Sequence, residues 1–365
     1  MRSLLTAVAA VAAVVTHLAG AAPRPQTVWS RAHTTISAFA QDGPYIAWFS
    51  PSARGCSAVH LRSLGNGLEV QLPSRKQKNV TCRFARAAGQ PVGLALAGTR
   101  ALWTLPQRTP LPLDYLLGAA VGDTVERRFQ EVAHTRRGVG QWLGGVAGSG
   151  STLAYAITAV DYEDEAGCLA GTGKCTLVKS GGGVYRVHGR IPIHVPGTEP
   201  AAEVATSGSS IAYVPATGVA KNGRPRAGAD LPVTLVDADT GREFAAVVPQ
   251  GVPRAIALSP HVLATLEQTP LGLRLAWYRS ATGQPLGSLP VPRATAPVLA
   301  LNDRQIVFRV GRSIRTVGVA SHRLRTLLRA PATPIGLSLT GNWLRWAENV
   351  GGSARIRALY VSGKG

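Results

Sequence analysis

Long apolar runs are missing from this chain beyond its first two dozen residues. That excludes a polytopic membrane protein, because each spanning helix needs about 20 consecutive apolar residues. Catalytic phrases are missing too. No Gly-x-Ser-x-Gly, His-Glu-x-x-His or phosphate-cradling glycine loop occurs, and Gly181–Gly183 lacks the Lys and the helix that a P-loop requires. The histidines, among them His60, His134, His188, His194, His261 and His322, stand singly. Many carboxylates fall at turn positions, such as Asp42, Asp123, Asp237, Asp239 and Asp303. No metal or cofactor is expected from that distribution. A Ser-His-Asp set can still assemble across a fold, so a secreted hydrolase or lyase with a central-channel active site stands as the alternative reading.

Negative charge is also scarce. With 39 cationic and 19 acidic residues the chain carries a net charge of +20, a field that draws anionic polymers. Lysine supplies only six of those cations. An arginine-, alanine-, glycine- and proline-rich composition is what a GC-rich bacterial genome writes. The basic residues are scattered, with short clusters at Arg75-Lys76-Gln77-Lys78, Arg127-Arg128 and Arg136-Arg137. A nucleic-acid surface is denser and interleaved with aromatics, so specific nucleic-acid binding is not expected.

Met1-Arg2, the apolar run Leu4–Val15 and the small residues Ala19-Gly20-Ala21 read as a secretory signal peptide cleaved after Ala21. An uncleaved anchor is the competing reading. The expectation is a leader over 1–21, one domain over 22–365, an extracytoplasmic location, and no stable membrane span after cleavage. Four cysteines suit an oxidising compartment. Cys168 and Cys175 flank a short glycine-containing loop, and Cys56 and Cys82 lie 26 positions apart in the first repeat. Local pairing, Cys56 with Cys82 and Cys168 with Cys175, is expected. No Cys-x-x-Cys or neighbouring His supports zinc instead.

The chain is built on one recurring phrase: turn residues, then an apolar, a small and an aromatic residue. It reads Ile46-Ala47-Trp48, Ala101-Leu102-Trp103, Leu153-Ala154-Tyr155 and Ile211-Ala212-Tyr213. It continues at Leu263-Ala264-Thr265, Ile306-Val307-Phe308 and Leu344-Arg345-Trp346, with starts spaced 38 to 58 residues apart. A strand-plus-turn phrase recurring at roughly 40–50 residues marks propeller blades. The sixth repeat is the clearest: Val298–Leu301, Gln305–Val310, Ser313–Val319 and Arg323–Leu328 make four strands. Leu113–Ala120 imitates a helix, but Pro112 and Gly118 favour a strand. The seventh repeat ends one strand short, and the orphan segment Val28–Ser37 can supply it. The fold expected is all-β, a β-propeller of seven blades, closed by pairing of N- and C-terminal strands, which hides two otherwise exposed edges.

Asp42–Trp48, Gly208–Tyr213 and Asn302–Phe308 resemble the repeat phrase of TolB-type propellers. Val236–Gly241 and Tyr278–Gly283 resemble the outer turn of quinoprotein-type blades, which like WD-repeat blades have four strands. The resemblance implies blade geometry. Thr265 departs from it where an aromatic belongs, and no block of residues matches a quinone-cofactor site, so no cofactor is implied.

The recurring aromatics read as packing between blades rather than a sugar-stacking ring. The one dense acidic run lies in the third repeat, where Asp161, Glu163, Asp164 and Glu165 are the candidate partner contacts. It lacks the Asp-x-Asp-x-Asp-Gly spacing of a calcium loop. The function expected is a monomeric, exported, non-catalytic scaffold. It would bind a protein or an anionic cell-envelope polymer through face loops at Ser74–Asn79, Asp161–Cys175 and Gly218–Asp230.

Overall fold

The computed structural model describes residues 24–51, 57–74, 81, 93–107, 113–134, 139–172, 175–219, 225–228, 230–292 and 298–362. The expected leader, Cys56, Cys82 and the basic loop after Ser74 lie outside the described residues.

Strand β1 (Gln26–Ala32) precedes the first complete blade: β2 (Ala38–Asp42), β3 (Tyr45–Ser50), β4 (Ala58–Ser63) and β5 (Glu69–Leu72). Blade two is β6 (Gly93–Ala97), β7 (Arg100–Gln107), β8 (Leu113–Ala120) and β9 (Arg127–Ala133). Blade three is β10 (Gly140–Ser149), β11 (Thr152–Tyr162), β12 (Leu177–His188) and β13 (Ile191–His194), with helix α1 (Glu165–Ala170) between β11 and β12. Blade four is β14 (Ala201–Ser207), β15 (Ser210–Val219), β17 (Val233–Asp237) and β18 (Glu243–Val247), and a short β16 (Pro225–Ala227) pairs the far end of β15. Blade five is β19 (Val252–Leu258), β20 (Val262–Thr269), β21 (Gly272–Arg279) and β22 (Pro285–Val291). Blade six is β23 (Leu299–Leu301), β24 (Gln305–Val310), β25 (Ser313–Gly318) and β26 (Leu324–Arg329). Blade seven has β27 (Ile335–Thr340), β28 (Trp343–Val350) and β29 (Ser353–Tyr360), and takes β1 as its outermost strand.

The innermost strands β2, β6, β10, β14, β19, β23 and β27 touch one another in that order, and β27 returns to β2. The molecule is therefore a closed seven-bladed propeller. Closure is by β1, which pairs antiparallel with β29 from Gln26 opposite Ala358 to Ala32 opposite Ser353. The paired segment starts two residues before, and ends five residues before, the stretch Val28–Ser37 that the alternation of residues suggests. The rest of that stretch is held by a side chain instead. The Asn349 amide donates through Nδ2 to the Ile36 carbonyl and accepts the Ile36 N–H, both at 2.9 Å, as a backbone partner would.

The apolar core is divided among the blade interfaces. Seven clusters of buried residues each span two neighbouring blades, including the seam, where Trp29, Ile36, Phe39, Ile46 and Trp48 meet Ala347, Ala354 and Ile356. The recurring aromatics Trp48, Trp103, Tyr155, Tyr213, Phe308 and Trp346 are all buried in these clusters. Large rings suit a narrow, wedge-shaped gap between twisted sheets, where each buries a large apolar area. Gly144-Gly145 of β10 shows how close that gap becomes. A Cβ at Gly144 would lie 2.7 Å from the Ala202 carbonyl oxygen of the next blade.

Thr265, where the phrase loses its aromatic, opens onto a polar cluster inside blade five. Glu267 is 0% exposed; its Oε1 accepts from Thr265 Oγ1 at 2.6 Å and Tyr278 OH at 3.2 Å. Its Oε2 accepts from Arg274 Nη1 at 2.9 Å and the Gln250 N–H at 3.0 Å. Both oxygens are thus satisfied, the condition under which a buried carboxylate is tolerated. Burial, with the Glu267 charge second, pushes the Tyr278 hydroxyl up to about 12.

Candidate functional site

Consecutive antiparallel strands send their links alternately to the two ends of a blade. The links from first to second and from third to fourth strands open on one end of the ring, here the turn face. Those from second to third strands and from blade to blade open on the other, the loop face. The turn-face links from first to second strands are short in every blade. They are also tied to one another. The Gly98 and Gly150 N–H groups of blades two and three donate to Asp42 Oδ2 of blade one at 2.7 and 3.0 Å. Asp303 Oδ1 of blade six accepts from Ser259 Oγ and the His261 N–H of blade five at 2.7 and 3.0 Å. Asn302 Nδ2 reaches the Gly341 carbonyl of blade seven at 2.6 Å. Asp42, Asn302 and Asp303 were legible as turn residues, but the sequence gives no sign that their side chains join blades.

On the loop face the second-to-third links divide into two halves. Blades five, six and seven use tight turns between Thr269 and Gly272, Val310 and Ser313, and Val350 and Ser353. Blades one to four have long links. In blade three the link is an ordered arm. Pairing of β11 with β12 continues outward past the blade to Tyr162 opposite Leu177. The acidic run sits at its tip, and the segment there is more regular than an insertion loop. Asp161, the penultimate residue of β11, accepts the Tyr162 N–H on its Oδ1 at 2.8 Å. Asp164 caps α1, its Oδ1 accepting the Gly167 N–H at 2.9 Å, which satisfies one of the helix's unpaired donors. Glu165 lies in the first helical turn, where negative charge is favoured, and Gly171 ends the helix in the left-handed conformation. The Glu163 N–H donates to the Thr176 carbonyl at 2.9 Å, and a disulfide joins Cys168 to Cys175, as the spacing suggests.

Glu163, Asp164 and Glu165 are exposed, and among the described residues no cation lies within ion-pair distance of them. Beside them stand three apolar side chains that the sequence reading passed over: Leu169, 69% exposed, with Leu177 and Val178. Their signal was available, since Leu169 sits inside a Cys-to-Cys loop too short to bury it. Of the sequence-derived candidates, the structure brings Asp161, Glu163, Asp164, Glu165, Cys168 and Cys175 together in this one arm. The excursion at Gly218–Asp230 is a hairpin as far as it is described: β16 pairs β15 from Ala216 to Val219 and lies near β10, β14 and β19 at the channel mouth.

The innermost strands are built mainly of small and aliphatic residues. The seven innermost strands hold no histidine, and their charged residues are Asp42, Glu203 and Arg254. Three of the histidines lie on outer strands or their links. His60 contacts Glu69 at 3.2 Å and stacks on Trp48; His134 stacks on Trp142 and lies 3.8 Å from Asp114; His194 meets the edge of Tyr185. Among the described residues no group of three or more His, Cys, Asp or Glu is placed to hold a metal ion, and no helix is long and apolar enough to cross a membrane.

No protein-family profile matches the chain, and no curated protein matches it. Solved structures do. A chain of the Mitotic Checkpoint Complex crystal structure is 13% identical, with 99% of each chain covered and a TM-score of 0.50. The computationally designed Ika8 protein is 12% identical over 92% of this chain and 98% of its own, TM-score 0.49. An uncharacterized protein from Listeria monocytogenes is 9% identical over 88% and 90%, TM-score 0.46. The likeness is one of fold alone.

Proposed function

We propose that this chain is an exported, non-catalytic propeller scaffold that binds a protein partner through its loop face, with the arm of blade three as the principal contact. The observation that carries the reading is the arm itself. A disulfide, a capped helix and an extended ladder hold three exposed carboxylates, with no ion-pair partner among the described residues, and three exposed apolar side chains in one place. A soluble chain gains nothing from exposing Leu169, Leu177 and Val178 on a stapled projection unless something covers them. Preorganisation by the disulfide lowers the entropy lost on binding. The acidic tip favours a partner with a basic surface next to an apolar pocket, and it disfavours an anionic envelope polymer at this spot. The basic remainder of the surface is where such a polymer would be attracted. The Cys168–Cys175 bond and the leader-like N-terminus support an extracytoplasmic site of action. The turn-and-aromatic phrase supports descent from TolB-type or quinoprotein-type repeats, of which this reading uses the geometry only.

Site-specific photo-crosslinking tests it. A crosslinker at Leu169 is expected to give a discrete adduct in the producing cell, lost on Glu163→Lys with Glu165→Lys. A crosslinker at Val121, exposed on the turn face, is expected to give none. Equal labelling from both positions, or an adduct indifferent to the charge reversal, would refute the assignment.

A further inference from the structure

Blade two shows how this fold holds a carboxylate between blades. Leu102, Gly118 and Arg127 lie side by side across β7, β8 and β9. The same three places in blade six are Val307, Thr316 and Arg325. Residues directly opposite in a sheet share a face, and Leu102 and Val307 both pack against the following blade. In blade two the guanidinium has a resident acid. Arg127 donates through Nη2 and Nε to the two oxygens of Asp123 at 2.8 and 3.3 Å. These bonds hold the Asp123 carboxyl below the usual carboxylate range.

Blade six has the arginine without the acid. The position four residues before Arg325 is Ser321. Among the described residues no carboxylate lies within ion-pair distance of Arg304, Arg323 or Arg325. Where the acid would be there is a cavity of about 450 Å³, lined by these three arginines, Ser321, Thr316 and Gln305. Asp303 also lines it, but its Oδ1 is engaged by Ser259 and His261 of blade five. Arg325 uses one Nη2 bond, at 3.0 Å, on the Ser362 carbonyl, and among the described residues no other acceptor engages it. Gln305 is 6% exposed; its Nε2 donates to the same carbonyl at 3.2 Å while its Oε1 accepts nothing.

We propose that this turn-face cavity of blade six binds a sugar or polyol bearing a phosphate or carboxylate. The oxyanion takes the place that Asp123 fills in blade two, on Arg325, with Arg304 and Arg323 completing its neutralisation. A planar guanidinium matches either oxyanion with two parallel hydrogen bonds. The Ser321 hydroxyl, which lines the cavity, bonds a neighbouring hydroxyl of the ligand, which is why a bare anion is the poorer ligand. The volume suits a single substituted monosaccharide, and the net charge of +20 raises its local concentration.

The purified chain is titrated by calorimetry at low salt with glucose 6-phosphate and with glucuronate. Saturable one-to-one binding is expected for at least one, and the tighter of the two assigns the oxyanion. Ser321→Asp, which supplies an internal carboxylate, and Arg325→Gln are each expected to weaken binding about tenfold or more. Arg128→Gln, an exposed arginine paired with Glu131 outside the cavity, is expected to leave it unchanged. Arg325→Gln also removes the bond to Ser362, so Ser321→Asp is the deciding variant. No saturation with either ligand, full affinity in Ser321→Asp, or equal weakening in Arg128→Gln overturns the proposal.

Discussion

Replacing Asp42 with alanine tests whether the turn face is a stapled belt. The carboxylate joins three blades through two hydrogen bonds, from the Gly98 N–H at 2.7 Å and the Gly150 N–H at 3.0 Å. Hydrogen bonds to a charged group contribute about 1.5–3 kcal/mol each. Asp42 is half-buried and water replaces part of what is lost, so the two together are worth about 2–3 kcal/mol. Unfolding entropy of about 2.1 cal/mol/K per residue gives about 0.8 kcal/mol/K for a chain of 365 residues. The melting temperature should therefore fall by about 3–4 °C. Asp42→Asn keeps one neutral acceptor and should lose about half as much. Differential scanning calorimetry reads the stability, and amide exchange reads the location: the Gly98 and Gly150 protons should exchange faster in Asp42→Ala. Asp237→Ala is the control, because Asp237 Oδ1 bonds only within its own turn, to Asp239 and Thr240. Its loss should leave exchange in other blades unchanged. A melting temperature within 1 °C of the parent in Asp42→Ala, with Gly98 and Gly150 still protected, would show that blade packing alone aligns the turns.

Deleting residues 24–37 removes β1 and the Ile36 clamp, exposing β29 along its length; aggregation or a large fall in melting temperature is expected, and unchanged melting would place ring closure elsewhere. Asn349→Ala removes both bonds to Ile36, and a loss of about 2 kcal/mol in chemical denaturation is expected. Cys168→Ser with Cys175→Ser opens an eight-residue loop, worth about 2.5 kcal/mol on the chain-entropy model. That loss should appear as faster proteolysis at the tip of the arm rather than as ring unfolding. Glu267→Ala leaves the buried Tyr278 and the half-buried Arg274 without their acceptor, so about 3–5 kcal/mol should be lost, more than for any single turn residue. The Asp123 carboxyl is depressed in the folded state. Its stabilisation is therefore complete above the unfolded value of 3.8 and is lost as pH falls through the lower folded value. Asp123→Asn should flatten that part of the acid-unfolding curve, and an unchanged curve would assign the pH dependence to other groups.

The blade count was legible because one physical need recurs: every blade must present a large residue to its neighbour at the same height. Six aromatics and one exception are enough to register seven blades against one another. The missing fourth strand of the last blade was legible for a related reason, since a propeller with an open seam leaves two unpaired edges. The clamp at Asn349 was not, because an amide that imitates a backbone pair looks in sequence like any polar residue at a strand end. Thr265 was visible as a departure, but its meaning was not. Its partners Glu267, Arg274 and Tyr278 become a cluster only once β20 and β21 lie side by side. The acidic run was found by charge alone. The exposed leucines beside it escaped because periodicity places Leu177 and Val178 in an ordinary strand, and only the ladder's extension beyond the blade takes them out of the core.

Dividing the core among seven interfaces has a consequence for where recognition can sit. Each blade is held by its two neighbours, so a link at either end can lengthen without opening a cavity in any cluster. Such freedom is unequal between the faces. On the turn face, Asp42, Asn302 and Asp303 bind the first-to-second links of neighbouring blades to one another, and a longer link there would break its neighbour's bonds as well as its own. On the loop face the bonds run instead to blade-to-blade links, from Asn349 to Ile36 and from Arg312 to Pro331; among the described residues none joins the tight second-to-third turns of blades five to seven to one another, and blades one to four use this face for extension. A stapled arm on the permissive face suits a macromolecular partner, which needs reach. A small charged ligand needs fixed donors instead, and the constrained face supplies them where Arg325 stands without an acid.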